Sequence, residues 1–187
     1  MAALKGNCLI AQSGGPTAVI NASACGVIQE AFKSGEIDKV FGALHGVVGI
    51  LNENLFIFND ESPEEIELMK FTPASALGSC RYKLKSIEAN EKDYKRIIDV
   101  FEAHNIRYFF YIGGNDSMDT ASKVNQYAER VGYQLKSIGV PKTVDNDLPI
   151  TDHTPGFGSA AKFIATSIKE VGLDARVYNY PTVTICE

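Results

Sequence analysis

The chain predicts an α/β fold: a doubly wound, mostly parallel sheet with helices on both faces. Three observations carry this. Short apolar runs alternate with amphipathic helical patterns along the 187 residues, the order that builds parallel strands joined by helical crossovers. Several of these runs end in a polar or glycine-rich turn that opens into a helix. One run, Arg107-Tyr108-Phe109-Phe110-Tyr111-Ile112, is almost unbroken in its apolarity, as a strand covered on both faces is.

Composition narrows the class further. The chain is 45% hydrophobic with a formal net charge of -5. That suits one soluble domain with a substantial core. It argues against a nucleic-acid partner, which a basic excess would accompany. No apolar run is long enough to cross a bilayer, and the N-terminus Met1-Ala2-Ala3-Leu4-Lys5-Gly6 has no secretory apolar region. Together these predict a cytoplasmic protein with no membrane partner. Cys8, Cys25, Cys80 and Cys186 show no metal-ligand spacing and read as buried, reduced thiols.

The elements follow in order. Asn7 to Gln12 is an apolar strand, and Ser13-Gly14-Gly15-Pro16-Thr17 turns it into a helical pattern through Val19, Ile20, Ala24, Val27, Ile28 and Ala31. Glycines at such a turn let backbone amides approach an anion; two glycines alone fit a bare turn equally well. Lys39 to Leu44 is a second strand, and Leu55 to Phe58 an edge strand. His45, between them, reads as a loop or core histidine. Ser62-Pro63-Glu64-Glu65 sets an N-cap, a first-turn proline and two acids at the head of a short helix reaching Lys70. Leu77-Gly78-Ser79-Cys80-Arg81-Tyr82-Lys83 is a polar loop; its cations read either as solvated or, at Arg81, as a bidentate phosphate contact.

Glu91 to Asn105 carries Tyr94, Ile97, Ile98 and Phe101 on one helical face. The strand at 107–112 ends in Gly113-Gly114-Asn115-Asp116-Ser117, and a helix follows to about Val131. Ordinary N-capping explains one polar residue there, by Asn115 or Asp116. Leu135 to Val140 is the next strand, and Gly156 to Val177 the last long helix. Pro181 to Glu187 reads as a final strand, an unusual place for a domain to stop, so a longer parent is expected.

The stretch Gly139-Val140-Pro141-Lys142-Thr143-Val144-Asp145-Asn146-Asp147 organises the rest. It sits at a strand's C-terminal end, where open α/β sheets bind ligands. A cation beside a carboxylate base suggests phosphoryl transfer. The turns at Gly14-Gly15, at 113–117 and at 142–147 then fall along one edge of the sheet.

These motifs, in this order and spacing, resemble the N-terminal part of a phosphofructokinase, from about Asn7 to Glu187. The resemblance implies a Rossmann-like, donor-binding domain over 1–187, incomplete, with the sugar-phosphate domain outside the chain. ATP-dependent members have Gly-Gly-Asp-Gly-Ser and Pro-Gly-Thr-Ile-Asp-Asn-Asp. This chain has Asp116 and Lys142 where those have glycine, the pattern of the pyrophosphate-dependent type. A carboxylate at Asp116 would fill and repel the place of an α-phosphate. Lys142 would supply a cation to the transferring group.

By the same resemblance, Gly14, Gly15, Arg81 and Ser117 hold the donor phosphates, and Asp145 takes the proton from the sugar's 1-hydroxyl. Thr143, Val144, Asp145 and Asp147 meet the sugar. Asn115 stands where the family's metal-holding aspartate is usual, so Mg²⁺ is the implied cofactor with an uncharged ligand. The implied reaction is Mg²⁺-dependent phosphoryl transfer from pyrophosphate to fructose 6-phosphate by a homodimeric or homotetrameric parent, the isolated piece being inactive. The alternatives are an ATP-dependent enzyme, or a non-catalytic regulatory subunit of the same fold.

Overall fold

The computed structural model describes residues 4–186. Five strands form one sheet in the order β3-β2-β1-β4-β5. They are β1 (Gly6–Gln12), β2 (Ile37–Ala43), β3 (Leu55–Ile57), β4 (Ile106–Gly113) and β5 (Lys136–Pro141). β1 pairs in parallel with both β2 and β4, and β4 with β5; only the short edge strand β3 is antiparallel. The sheet is therefore mixed but mostly parallel.

Strand order explains where a site can form. From β1 the chain steps outward to β2 and β3, then returns to the other side of β1 to lay down β4 and β5. The reversal leaves a crevice between the C-terminal ends of β1 and β4, and such switch points hold ligands in open α/β sheets. The register aligns these ends: Gln12 lies beside Ile112, and Gly113 beside Pro141.

Alternation along the strands feeds two cores. Leu9, Ala11, Phe109 and Tyr111 face helices α2 (Gly46–Leu51), α4 (Glu91–Ala103) and α5 (Asn115–Arg130). Cys8, Ile10, Val40 and Ile112 face α1 (Ile20–Lys33) and Ile66 of α3 (Pro63–Leu68). The continuous apolarity of the 107–112 run thus reflects cover on both sides, as expected. Fully burying each such side chain contributes about 1.5–3 kcal/mol. At α3 the Glu65 N–H donates to Ser62 Oγ at 3.1 Å, the cap read from sequence.

Four expectations need correction. Pro181 to Glu187 is not a strand over its described part, residues 181–186: Val183 and Ile185 alternate as strand residues do, but nothing among the described residues pairs with them, and a strand without a ladder is not one. Glu187 itself lies outside the described residues. Of the four cysteines expected to be buried, Cys8 and Cys25 are, Cys80 is half-buried in its loop, and Cys186 is exposed because no ladder covers it; burial pushes the Cys8 thiol up to about 12. α2, directly after His45, went unread; its six residues are too few to display a helical period. Finally, α5 is capped by Gly114 with no side-chain hydrogen bond, so neither Asn115 nor Asp116 is an N-cap.

The last helix, α6 (Phe157–Asp174), forms nearly where expected but buries none of its residues. Its apolar Phe163, Ile164 and Ile168 are all more than half exposed.

Candidate active site

A cleft of about 570 Å³ opens at the switch point. The ends of β1, β4 and β5 and the loop before α4 contribute to it, and each brings one kind of chemistry.

From β1 comes the turn at Gly14 and Gly15. Gly14 has φ +77, where a side chain would be strained, and a Cβ there would stand 3.2 Å from Lys142 Nζ. Its N–H donates to the Cys80 carbonyl at 3.3 Å, so this amide is shared with a neighbouring loop. Ser79 Oγ donates back to the Gly14 carbonyl at 2.5 Å. The turn and the loop carrying Arg81 are thereby joined, and Arg81, Tyr82 and Lys83 line the cleft opposite the glycines.

From β4 comes the start of α5. Because Gly114 occupies the cap position, Asn115 and Asp116 project from the first helical turn, exposed at the cleft. Asp116 pairs with Lys83 at 2.7 Å, and the hydrogen bond holds the Lys83 ammonium above its ordinary range. Asn115 Nδ2 donates to Asp147 at 2.8 Å, across to the next loop. Ser117 is buried, its hydroxyl pressed against Gly113, where a Cβ would lie 2.0 Å from it.

From β5 comes the Lys142-to-Asp147 loop. Lys142 is only 4% exposed, and its ammonium donates to the Gly15 carbonyl, bridging β5 to the β1 turn. Burial pushes its pKa below the usual lysine range; the Asp145 carboxylate opposes this and Arg81 adds to it. Thr143 is also buried, and its hydroxyl accepts from the Asp145 N–H at 3.0 Å. Val144 and Asp145 line the cleft while exposed. Asp147 does not line it and meets it only through Asn115.

The structure thus gathers Gly14, Gly15, Arg81, Asn115, Asp116, Ser117, Lys142, Thr143, Val144 and Asp145 around one cavity. Lys83 was read as one cation of a loop, and its pairing with Asp116 has no signature in spacing. Thr120, one turn along α5 from Asp116, also lines the cleft; its i, i+4 relation to Asp116 was the available signal.

Among the described residues no group of three His, Cys, Asp or Glu side chains is placed to hold a metal. Among the oxygen donors lining the cleft are the carboxylates of Asp116, which is paired with Lys83, and Asp145, and the amide of Asn115. Oxygen ligands of these kinds suit a hard cation, and Mg²⁺ commonly takes one or two carboxylates and completes its shell with phosphate oxygens and water.

Fold and cleft define an α/β protein whose parallel strand ends present cations and carboxylates to a ligand-sized crevice. The chain belongs to the phosphofructokinase family: the family profile, "Phosphofructokinase", matches residues 7–187. It is 58% identical over 169 residues to a pyrophosphate–fructose 6-phosphate 1-phosphotransferase of Halomonas elongata, covering 90% of this chain and 40% of that protein. The crystal structure of a pyrophosphate-dependent phosphofructokinase from Nitrosospira multiformis superposes with a TM-score of 0.84 at 52% identity, over 91% of this chain and 42% of that one. One from Marinobacter aquaeolei gives 0.84 at 55%, over 92% and 42%. The chain therefore spans about two fifths of the length of the relatives it matches.

Proposed function

We propose that the full-length protein is a phosphotransferase that moves a phosphoryl group from pyrophosphate to the 1-hydroxyl of fructose 6-phosphate. The observation that carries this reading is the presence of Asp116 and Lys142 in one cleft, with Lys142 bridging to the Gly14-Gly15 turn. The printed names of the relatives support the same donor. This chain would be the donor-binding part, 1–187, with the sugar-phosphate part elsewhere in the protein.

The chemistry asks little covalent work of the protein. It asks for positioning and for charge placed where charge develops. Arg81 and Lys142 flank the place of the transferred group. Ser117 and the Gly14-Gly15 turn, to which Lys142 is bonded, bound it as well, with the Gly14 amide giving up its long bond to Cys80 when a phosphate oxygen arrives. Asp145 accepts the proton of the attacking hydroxyl, and its own N–H, held by Thr143, fixes the loop that carries it. Thr143, Val144 and Asp147 bound the sugar side. Asp116 occupies the space into which a nucleotide would extend, and its negative charge disfavours a third phosphate. Asn115, with Asp116 beside it, would hold Mg²⁺, which when bound neutralises donor charge.

The described residues contain no helix long and apolar enough to cross a membrane; a cytoplasmic homodimer or homotetramer accords with the reading. The test is a coupled assay of the full-length protein with Mg²⁺ and fructose 6-phosphate, run with pyrophosphate and with ATP. Turnover with pyrophosphate alone is expected. Turnover with ATP alone overturns the donor assignment, and none with either donor supports a regulatory subunit.

A further inference from the structure

The groups that touch the cleft are held in place by two side chains that do not. Gln12 ends β1 and Asn21 lies in the first turn of α1; they are 0% and 2% exposed. Neither is needed for packing alone, since apolar side chains fill such places without requiring partners. Here every polar atom has one. Gln12 Nε2 donates to Asn21 Oδ1 at 2.9 Å and to the Ile20 carbonyl at 3.2 Å, while its Oε1 accepts from the Leu77 N–H at 2.9 Å. Asn21 Nδ2 donates to the carbonyls of Thr72 (2.8 Å) and Ala74 (2.9 Å), and its Oδ1 accepts from the Ala76 N–H at 2.8 Å.

The pair therefore grips the backbone of residues 72–77, more than fifty positions away in sequence. That segment has no helix or strand from Thr72 onward; besides the pair, its backbone is held by a turn from the Gly78 N–H to the Ser75 carbonyl and by the His45 N–H on the Leu77 carbonyl. Two and three residues past Leu77, the same strip reaches Ser79 and Cys80, which bond to the carbonyl and the amide of Gly14, and then Arg81.

We infer that Gln12 and Asn21 are positioning residues for the donor half of the cleft, an inference that rests on the reading of Gly14 and Arg81 as the donor side. They set the separation between the glycine turn and the Arg81 loop, and so the fit of a diphosphate between them. The acceptor loop has its own supports: the Lys142 N–H donates to Gly113, the Thr143 N–H to Pro155, and Thr154 Oγ1 to the Thr143 carbonyl. Its link to the β1 turn is Lys142 Nζ on the Gly15 carbonyl. Loosening the pair should act on donor binding and spare the sugar.

Asn21→Asp and Gln12→Glu keep side-chain size but turn an oxygen toward the carbonyl oxygens that the amides now serve. In the full-length enzyme each is expected to raise KM for pyrophosphate about tenfold, the factor one lost hydrogen bond commands. KM for fructose 6-phosphate should stay within about twofold. Hydrogen exchange at the Ala76 and Leu77 amides should quicken in the same variants. Equal rises in both KM values, or quickened exchange with donor KM unchanged, overturn the inference. Should either variant fail to melt cooperatively, Ser79→Ala tests the last joint alone; a donor KM that does not move there is equally fatal. A wild-type enzyme that uses ATP instead would sink the donor assignment, yet the same split measured with ATP would still judge the positioning role. If it turns over neither donor, calorimetric titration with pyrophosphate replaces KM by Kd, with the same two outcomes.

Discussion

The two sides of the cleft are built differently. On the side proposed for the donor, the glycine turn, the Arg81 loop and the start of α5 rest on buried structure: β1 is buried from Cys8 through Gln12, and α5 buries Ala121, Val124, Tyr127 and Ala128. On the side proposed for the acceptor, burial is confined to the two feet of the loop, Lys142 and Thr143 at one and Thr154 and Gly156 at the other; the tip at 144–145 is exposed, and α6 beyond has no buried residue. α5 and α6 both follow a strand and both are amphipathic, yet only one is packed. Amphipathicity thus reports that a helix has an apolar face, not that the chain in hand covers it. One half of the cleft rests on packed helices, and the other on the hydrogen bonds at the feet of its loop.

That contrast can be broken or sharpened by substitution. The largest effect should come from the exposed acceptor tip: Asp145→Asn in the full-length enzyme is expected to lower kcat by about 10²–10⁴-fold, the usual worth of a general base. Its melting temperature should not change; a lowered one would mean the tip is structural. Next, Lys142→Met should lower kcat by about 10²–10³-fold, the scale for losing one charge-stabilising donor.

Lys142 also makes a stability prediction whose sign can be worked out. Its folded-state pKa lies below the unfolded value, so over the window between the two the unfolded chain binds more protons, and stability rises with pH there. Lys142→Met should flatten that alkaline rise and raise the melting temperature at neutral pH. An unchanged pH profile would contradict the burial argument. In wild-type enzyme, activity should fall on the alkaline side earlier than an ordinary lysine would dictate.

Smaller still is the packing contrast. Val124→Ala in α5 should cost about 2 kcal/mol, two methylene equivalents plus a residual cavity. Ile168→Ala in α6 should stay within about 0.5 kcal/mol in this 187-residue chain, and cost more in the full-length protein if α6 is covered there. Urea unfolding of both variants in both lengths decides it. A small effect is also expected at Asn115→Ala, which removes one hydrogen bond between two exposed side chains on the two sides, worth no more than about 0.5 kcal/mol at such a surface site. A raised sugar KM would mark Asn115 as a tie to Asp147; a raised Mg²⁺ requirement would mark it as a metal holder.

Most of the sheet was legible because its residues obey two local rules at once. Leu9, Ala11, Phe109 and Tyr111 alternate with Cys8, Ile10, Phe110 and Ile112, and glycine turns punctuate the runs. Most of the cleft's lining was legible because the turns after β1, β4 and β5 follow strands and so had to share an edge; the Arg81 loop follows no strand, and Asp147 falls outside the lining. What stayed hidden is what depends on separation in space. The grip of Gln12 and Asn21 on residues 72–77, and the pairing of Lys83 with Asp116, join segments whose spacing carries no period. The final strand was over-read for the same cause: Val183 and Ile185 have the right pattern, but a pattern cannot supply the neighbour that completes a ladder.

Three strands adjacent in the sheet, β1, β4 and β5, deliver three of the turns that line the cleft. Neighbouring strands stand about 4.8 Å apart, so the outer two of these lie roughly 10 Å from one another. The main chain therefore acts as a ruler for this crevice. Exchanging side chains can retune what occupies that span, but its width is metered by the hydrogen-bonded ladder and will outlast almost any change of residue along it.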